Sequence, residues 1–208
     1  MADNYQITSV QQLEDTLGAP LEFIAQKVRN SLDEAMLDYI QHSPLVFLST
    51  LDSTGHMDIS PKGDAPGFVR VTDSGQLLLP DRPGNKLTYG FRNILNNPHV
   101  GMIFVVPHLR ETLRVKGTAT LSNDPALLET LAAQGKPATL CTTIDVSECF
   151  FHCGKAMIRS KLWQPEHWPE TSAKSPMVSA MVKQFDADES AYSDIENALE
   201  DNYRDELY

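Results

Sequence analysis

The chain has 208 residues, 41% hydrophobic and 22% charged, with a formal net charge of −11. That size and composition suit one globular domain with a sizeable core. No apolar run nears the ~18 residues of a membrane span, and three cysteines, an odd number, argue against a disulfide framework. The charge is uneven. Residues 186–208 hold nine acids against Arg204 alone, whereas residues 60–120 hold eight bases against four acids. A cationic stretch inside an acidic chain points to a small anionic ligand, not to nucleic acid, which needs a broad basic face. The opening MADNYQITSV has neither a basic start nor an apolar leader core, so the cytoplasm is the expected location.

Residues 1–44 read as helical and end at Pro44. Ser31 and Glu34 have the spacing of a capping box, and Leu32, Ala35, Met36, Tyr39 and Ile40 follow with helical period. Strands are predicted over Leu45–Leu51, His56–Ser60, Phe68–Val71 and Gln76–Leu79, separated by the turns Asp52–Gly55 and Thr72–Gly75 and by the Pro/Gly loop Ser60–Gly67. A helix follows Lys86 and stops at Asn96-Asn97-Pro98, and two strands, Val100–Val106 and Leu113–Leu121, come next. Ser122 or Asn123 starts a helix that Gly135 closes. Leu140–Val146 alternates as a strand, whereas Phe150, Phe151, Gly154, Met157 and Ile158 fit helical spacing better. A short helix is predicted over Val178–Phe185, before the acidic tail. Six or seven short strands with few helices predict a mainly β, α+β architecture: one small antiparallel barrel with flanking helices. Its parts are a helical segment over 1–44, the barrel over 45–170 and an extension over 171–208.

The turn Asp81-Arg82-Pro83-Gly84-Asn85-Lys86 opens onto a helical pattern. Free backbone N–H groups beside a lysine and an arginine make an anion site. Lys62, Arg70, Arg82, Lys86 and Arg114 all lie on loops and strands around this turn. Each alone reads equally well as a solvated surface charge. Together they predict a phosphate grip.

Five strings then become familiar: PGFVRV at Pro66–Val71, PDRPGN at Pro80–Asn85, RNILNNP at Arg92–Pro98, ETLRVKG at Glu111–Gly117 and FFHCGKAMIRSKLW at Phe150–Trp163. In this order the chain resembles the pyridoxamine 5′-phosphate oxidase superfamily of FMN-binding split barrels, and within it a subgroup of FMN-dependent proteins without a defined substrate. The resemblance implies an antiparallel split β-barrel and a homodimer with FMN at the subunit interface. It implies FMN contacts at Arg70, at the helix-opening pair Asn85 and Lys86, at Pro80 and Asp81 near the ring, and at Thr112 and Arg114. Asn85 departs from the superfamily's arginine, and Arg82 would supply the missing charge. The superfamily's R-L-H substrate motif and its phosphate-gripping helix are absent, which argues against pyridoxamine phosphate as substrate. The implied activity is that of an FMN-dependent oxidoreductase acting on an unidentified small molecule. A non-catalytic flavin carrier or redox sensor is the alternative, and a deazaflavin or haem binder a third reading.

Other motifs are bland. Cys149, His152 and Cys153 lack the second ligand pair of a structural zinc site, so no metal is expected. Cys153 has Lys155 two residues away, yet free cysteines are most often simply buried. Trp163 and Trp168 either wall a ligand pocket or pin their loop to the barrel. No G-x-S-x-G, Walker or G-x-G-x-x-G string is present.

Overall fold

The computed structural model describes residues 5–19, 21, 24, 26–171, 174–186 and 191–208. Parts of the predicted helical segment and acidic tail, residues 1–4 and 187–190 among them, lie outside this set. The elements in chain order are α1 (Val10–Leu17), α2 (Glu34–His42), β1 (Leu45–Leu51), β2 (Met57–Gly63), β3 (Arg70–Val71), β4 (Leu77–Asp81), α3 (Tyr89–Asn96), β5 (His99–Val105), β6 (Thr112–Ser122), α4 (Pro125–Thr130), β7 (Leu140–His152), α5 (Lys155–Ser160), α6 (Pro176–Gln184) and α7 (Ala191–Asp205). The seven strands form one antiparallel sheet in the order β2-β1-β5-β6-β7-β4-β3. The sheet curls into the expected split barrel, with helices on its flanks.

The curl follows from alternation. Val46, Leu48, Phe104, Leu113, Val115, Leu77, Leu79 and Ile144 point inward and are almost fully buried. At about 2 kcal/mol per buried aliphatic side chain, this inner face is the main source of stability. β4 is apolar on both sides. Leu77 and Leu79 face the barrel, while Leu78 packs with Leu127, Leu128 and Leu131 in a second, smaller core. β6 and β7 shift register between Lys116 and Gly117, a bulge that sharpens the bend. α2 seals one end: the Tyr39 hydroxyl donates to the Glu111 carbonyl at 2.7 Å, and its ring meets Phe151 edge-on at 5.4 Å between centroids.

Several local expectations are corrected. α2 is capped by Asp33, whose carboxylate accepts the Met36 N–H at 3.0 Å, and not by Ser31. Ser31 instead offers its carbonyl to the buried Cys149 thiol. The stretch predicted as helical after Val146 stays in β7 as far as His152, and the helix is confined to Lys155–Ser160. Alternation is hidden there because both faces are aromatic. Phe151 joins the core, whereas Phe150 lies under Arg114 and Lys27. α4 is capped by Asp124, and Gly135 (φ +75°) serves the later Ala133–Lys136 turn instead of a helix end. The acidic tail is helical over Ala191–Asp205.

Candidate functional site

β2 and β4 stand near opposite ends of the strand order. A cavity of about 880 Å³ opens between them, walled also by the 82–88 loop and the start of α3. The β2 side contributes Asp58, Ser60 and Lys62, which face Thr50, Leu48 and Val46 across the β1–β2 register. The β4 side contributes Pro80 and Asp81 at the strand end, then Arg82 to Thr88. Of the nine candidate residues, Lys62, Pro80, Asp81, Arg82, Asn85 and Lys86 line this cavity.

The loop does not run straight into a helix as expected. Lys86 and Thr88 both take left-handed backbone angles (φ +58°), and α3 begins only at Tyr89. Asn85 braces this detour by accepting the Leu87 N–H at 3.1 Å. Such non-glycine conformations are costly and concentrate where a loop is shaped for a ligand.

Two of the predicted phosphate grips already have partners. The Lys62 ammonium meets the Asp81 carboxylate at 2.8 Å and lies 4.9 Å from the centre of the Phe91 ring. The Arg82 Nε donates to Asp64 Oδ2 at 2.7 Å. Asp64 Oδ1 accepts the Tyr208 hydroxyl at 2.8 Å and the Ala65 N–H at 2.7 Å. Burial pushes the Asp64 carboxyl up, but donors from Tyr208, Ala65 and Arg82 outweigh it and hold it below the usual carboxylate range. The same bond pushes the Tyr208 hydroxyl up. Arg82 Nη1 is buried with no hydrogen-bond partner among the described residues. An unsatisfied buried donor of this kind costs about 1–3 kcal/mol. Among the described residues Lys86 has no ionic partner, and it is exposed.

Arg70, Thr112 and Arg114 lie outside this cavity. Arg70 is exposed on the edge strand β3, opposite Leu78. Thr112 is buried at the start of β6, opposite His152, and Arg114 stacks over Phe150 at 5.3 Å. Sequence reasoning missed Asp58, Asp64, Phe91 and Tyr208. The acids register in a sequence only as charges, and nothing in the chain order pairs residue 208 with residue 64. A second, smaller cavity of about 300 Å³ is lined by Arg110, Lys161 and Trp163. The Trp163 Nε1–H donates to the Leu109 carbonyl at 2.7 Å, so this tryptophan pins its loop to the barrel. Among the described residues no three His, Cys, Asp or Glu side chains converge as metal ligands, and no helix is long and apolar enough to cross a membrane.

The family profile described as pyridoxamine 5′-phosphate oxidase matches residues 32–153, more than half of the chain. The chain belongs to the pyridoxamine 5′-phosphate oxidase family. Its matched span contains all nine candidate residues and leaves out the C-terminal helices. Solved structures of similar fold include Group A Streptococcus HupZ, 21% identical over 58% of this chain and 93% of that one, with a TM-score of 0.47. General Stress Protein 26 from Bacillus anthracis is 14% identical over 55% and 88%, with a TM-score of 0.42. HutZ, the heme storage protein from Vibrio cholerae, is 14% identical over 58% and 94%, with a TM-score of 0.38. No curated protein matches the chain significantly.

Proposed function

We propose that the cavity between β2 and β4 binds FMN and that the protein is an FMN-dependent oxidoreductase. One observation carries this reading. The 82–88 loop, with Lys86 and Thr88 left-handed, puts Arg82 and Lys86, the latter without an ionic partner among the described residues, on the wall of one cavity, whose volume of about 880 Å³ lies in the usual range for small-molecule and cofactor sites. The donor set fits a phosphate: Lys86, Arg82 and the loop amides would hold it, with Asn85 bracing the loop. The backbone at Pro80 and Asp81 would border the ring. A bound flavin supplies the hydride chemistry; the chain positions it and limits solvent access. The donor set that remains is smaller than five free cations, because Asp81 and Asp64 neutralise Lys62 and Arg82.

We further propose a homodimer. Phe47, Met57, Ile59 and Ile103 are exposed large hydrophobic residues, and the β1–β2 and β1–β5 registers put them on one outward sheet face. Arg114, opposite Ile103, and Thr112, two residues before it, share that face. A second copy docked there would put both residues at a subunit interface, where FMN is expected, and would cover the apolar surface.

The test is to purify the protein, release any chromophore and identify it by mass. FMN is expected, and Lys86→Ala should weaken it about tenfold without loss of folded structure. Stoichiometric FMN retained by that variant, or a different chromophore, would overturn the assignment. Turnover with reduced nicotinamide separates the oxidoreductase from a non-catalytic carrier, which would hold flavin without steady-state flux.

A further inference from the structure

The C-terminal residues reach back across the molecule to the cavity. Tyr208 is anchored at two points. Its hydroxyl donates to Asp64 Oδ1 at 2.8 Å, and its carbonyl accepts the Lys136 ammonium at 2.6 Å. The anchored pair is well enclosed: the Asp64 side chain is 3% exposed and that of Arg82 14%. Arg82 lines the cavity, yet its Nη1 is buried without a partner among the described residues. The docked tail therefore coincides with a state in which a strong donor beside the cavity is unused.

We propose that residues 206–208 form a strap that holds Arg82 against Asp64, and that strap docking competes with an anionic ligand for Arg82. The proposal rests on the phosphate-binding reading of the cavity. The physical basis is linkage. With the strap docked, Arg82 is tied through Nε to a carboxylate that Tyr208 helps to fix. With Tyr208 released, Asp64 is less fixed and more open to water, its attraction to Arg82 is screened, and Nη1 becomes free to meet a phosphate oxygen. A ligand that uses Arg82 binds the released state better, so it shifts the population towards release, and weakening the strap must tighten the ligand by the same coupling. A ligand without an anionic end has no such preference. The strap thus makes the site's affinity depend on charge at one end of the ligand.

Tyr208→Phe removes the hydroxyl and keeps the ring. Two measurements test the proposal. In the first, without ligand, hydrogen exchange over residues 191–208 is expected to be faster in Tyr208→Phe than in wild type; equal exchange would overturn the strap. In the second, FMN and riboflavin are titrated into both proteins. The variant is expected to raise the FMN-to-riboflavin affinity ratio about threefold to tenfold, the size of one hydrogen-bond coupling. An unchanged or lowered ratio would overturn the competition. If the wild type binds neither flavin, the FMN reading fails, and inorganic phosphate becomes the probe. It should then speed tail exchange in wild type, and no effect at saturating phosphate would overturn the strap as well.

Discussion

The Lys62 ammonium and the Asp81 carboxylate, 2.8 Å apart, join the edge strand β2 to the end of β4 across the open side of the sheet. No backbone ladder connects those two strands, so this ion pair and the neighbouring Arg82–Asp64 pair are side-chain staples over a gap. Both partners of the first pair are 22% exposed. Lys62→Met should therefore lower stability by only about 1 kcal/mol, read from the urea midpoint. Its larger effect should be on ligand affinity, because the same lysine walls the cavity.

Gly117 should tolerate no side chain. A Cβ there would collide with the Asp145 carbonyl and lie 3.0 Å from Ile144 Cγ2, at the bulge where β6 and β7 change register. Backbone on one side and core on the other leave no room to relax. Gly117→Ala is expected to cost about 3 kcal/mol, seen as a lower midpoint in thermal or urea unfolding.

The contact between Tyr208 and Asp64 should have an acid and an alkaline limit. Asp64 has its carboxyl held below the usual range in the folded chain. Its contribution is therefore present above the ordinary carboxylate pKa and lost as pH falls through the depressed folded value. Tyr208 is shifted the other way, first by its bond to Asp64. Its contribution is present below the ordinary tyrosine value of about 10 and lost as pH rises through the folded one. The groups facing this contact are Arg82 at Asp64 and Lys136 at the Tyr208 carbonyl. A pH series of tail hydrogen exchange, corrected for intrinsic rates, should show a protected plateau with losses at both ends. Tail protection that stays unchanged down to the lowest pH at which the barrel remains folded would contradict the assignment.

The three cysteines should differ sharply. Cys141 and Cys149 are buried, and burial pushes both thiols up, away from the reactive thiolate. Cys153 is exposed beyond the end of β7. One thiol should react quickly with a disulfide reagent under native conditions and three after denaturation. Mass mapping should place the fast adduct on Cys153.

Much of the barrel was legible because its strands alternate and its turns are punctuated. Asp52 shows why. Its carboxylate accepts from the Thr54 hydroxyl and from the His56 and Thr54 N–H groups, which holds its pKa down at about 2, and the D-S-T-G string announces that turn. Phe150 and Phe151 misled for the opposite reason, since aromatic residues on both faces erase a period of two. The position of the cavity was legible in Asp81–Lys86, but its charge was not. Lys62 and Arg82 look like free cations until the fold brings Asp81 and Asp64 to them. Tyr208 is the extreme case, as its partner lies 144 positions away.

Pro61 lies in β2, an outermost strand, opposite Phe47. It has no amide hydrogen to offer a newcomer. The other border, β3, is only two residues long. A further strand would meet a missing donor at one margin and only two residues at the other, which weakens edge-to-edge pairing.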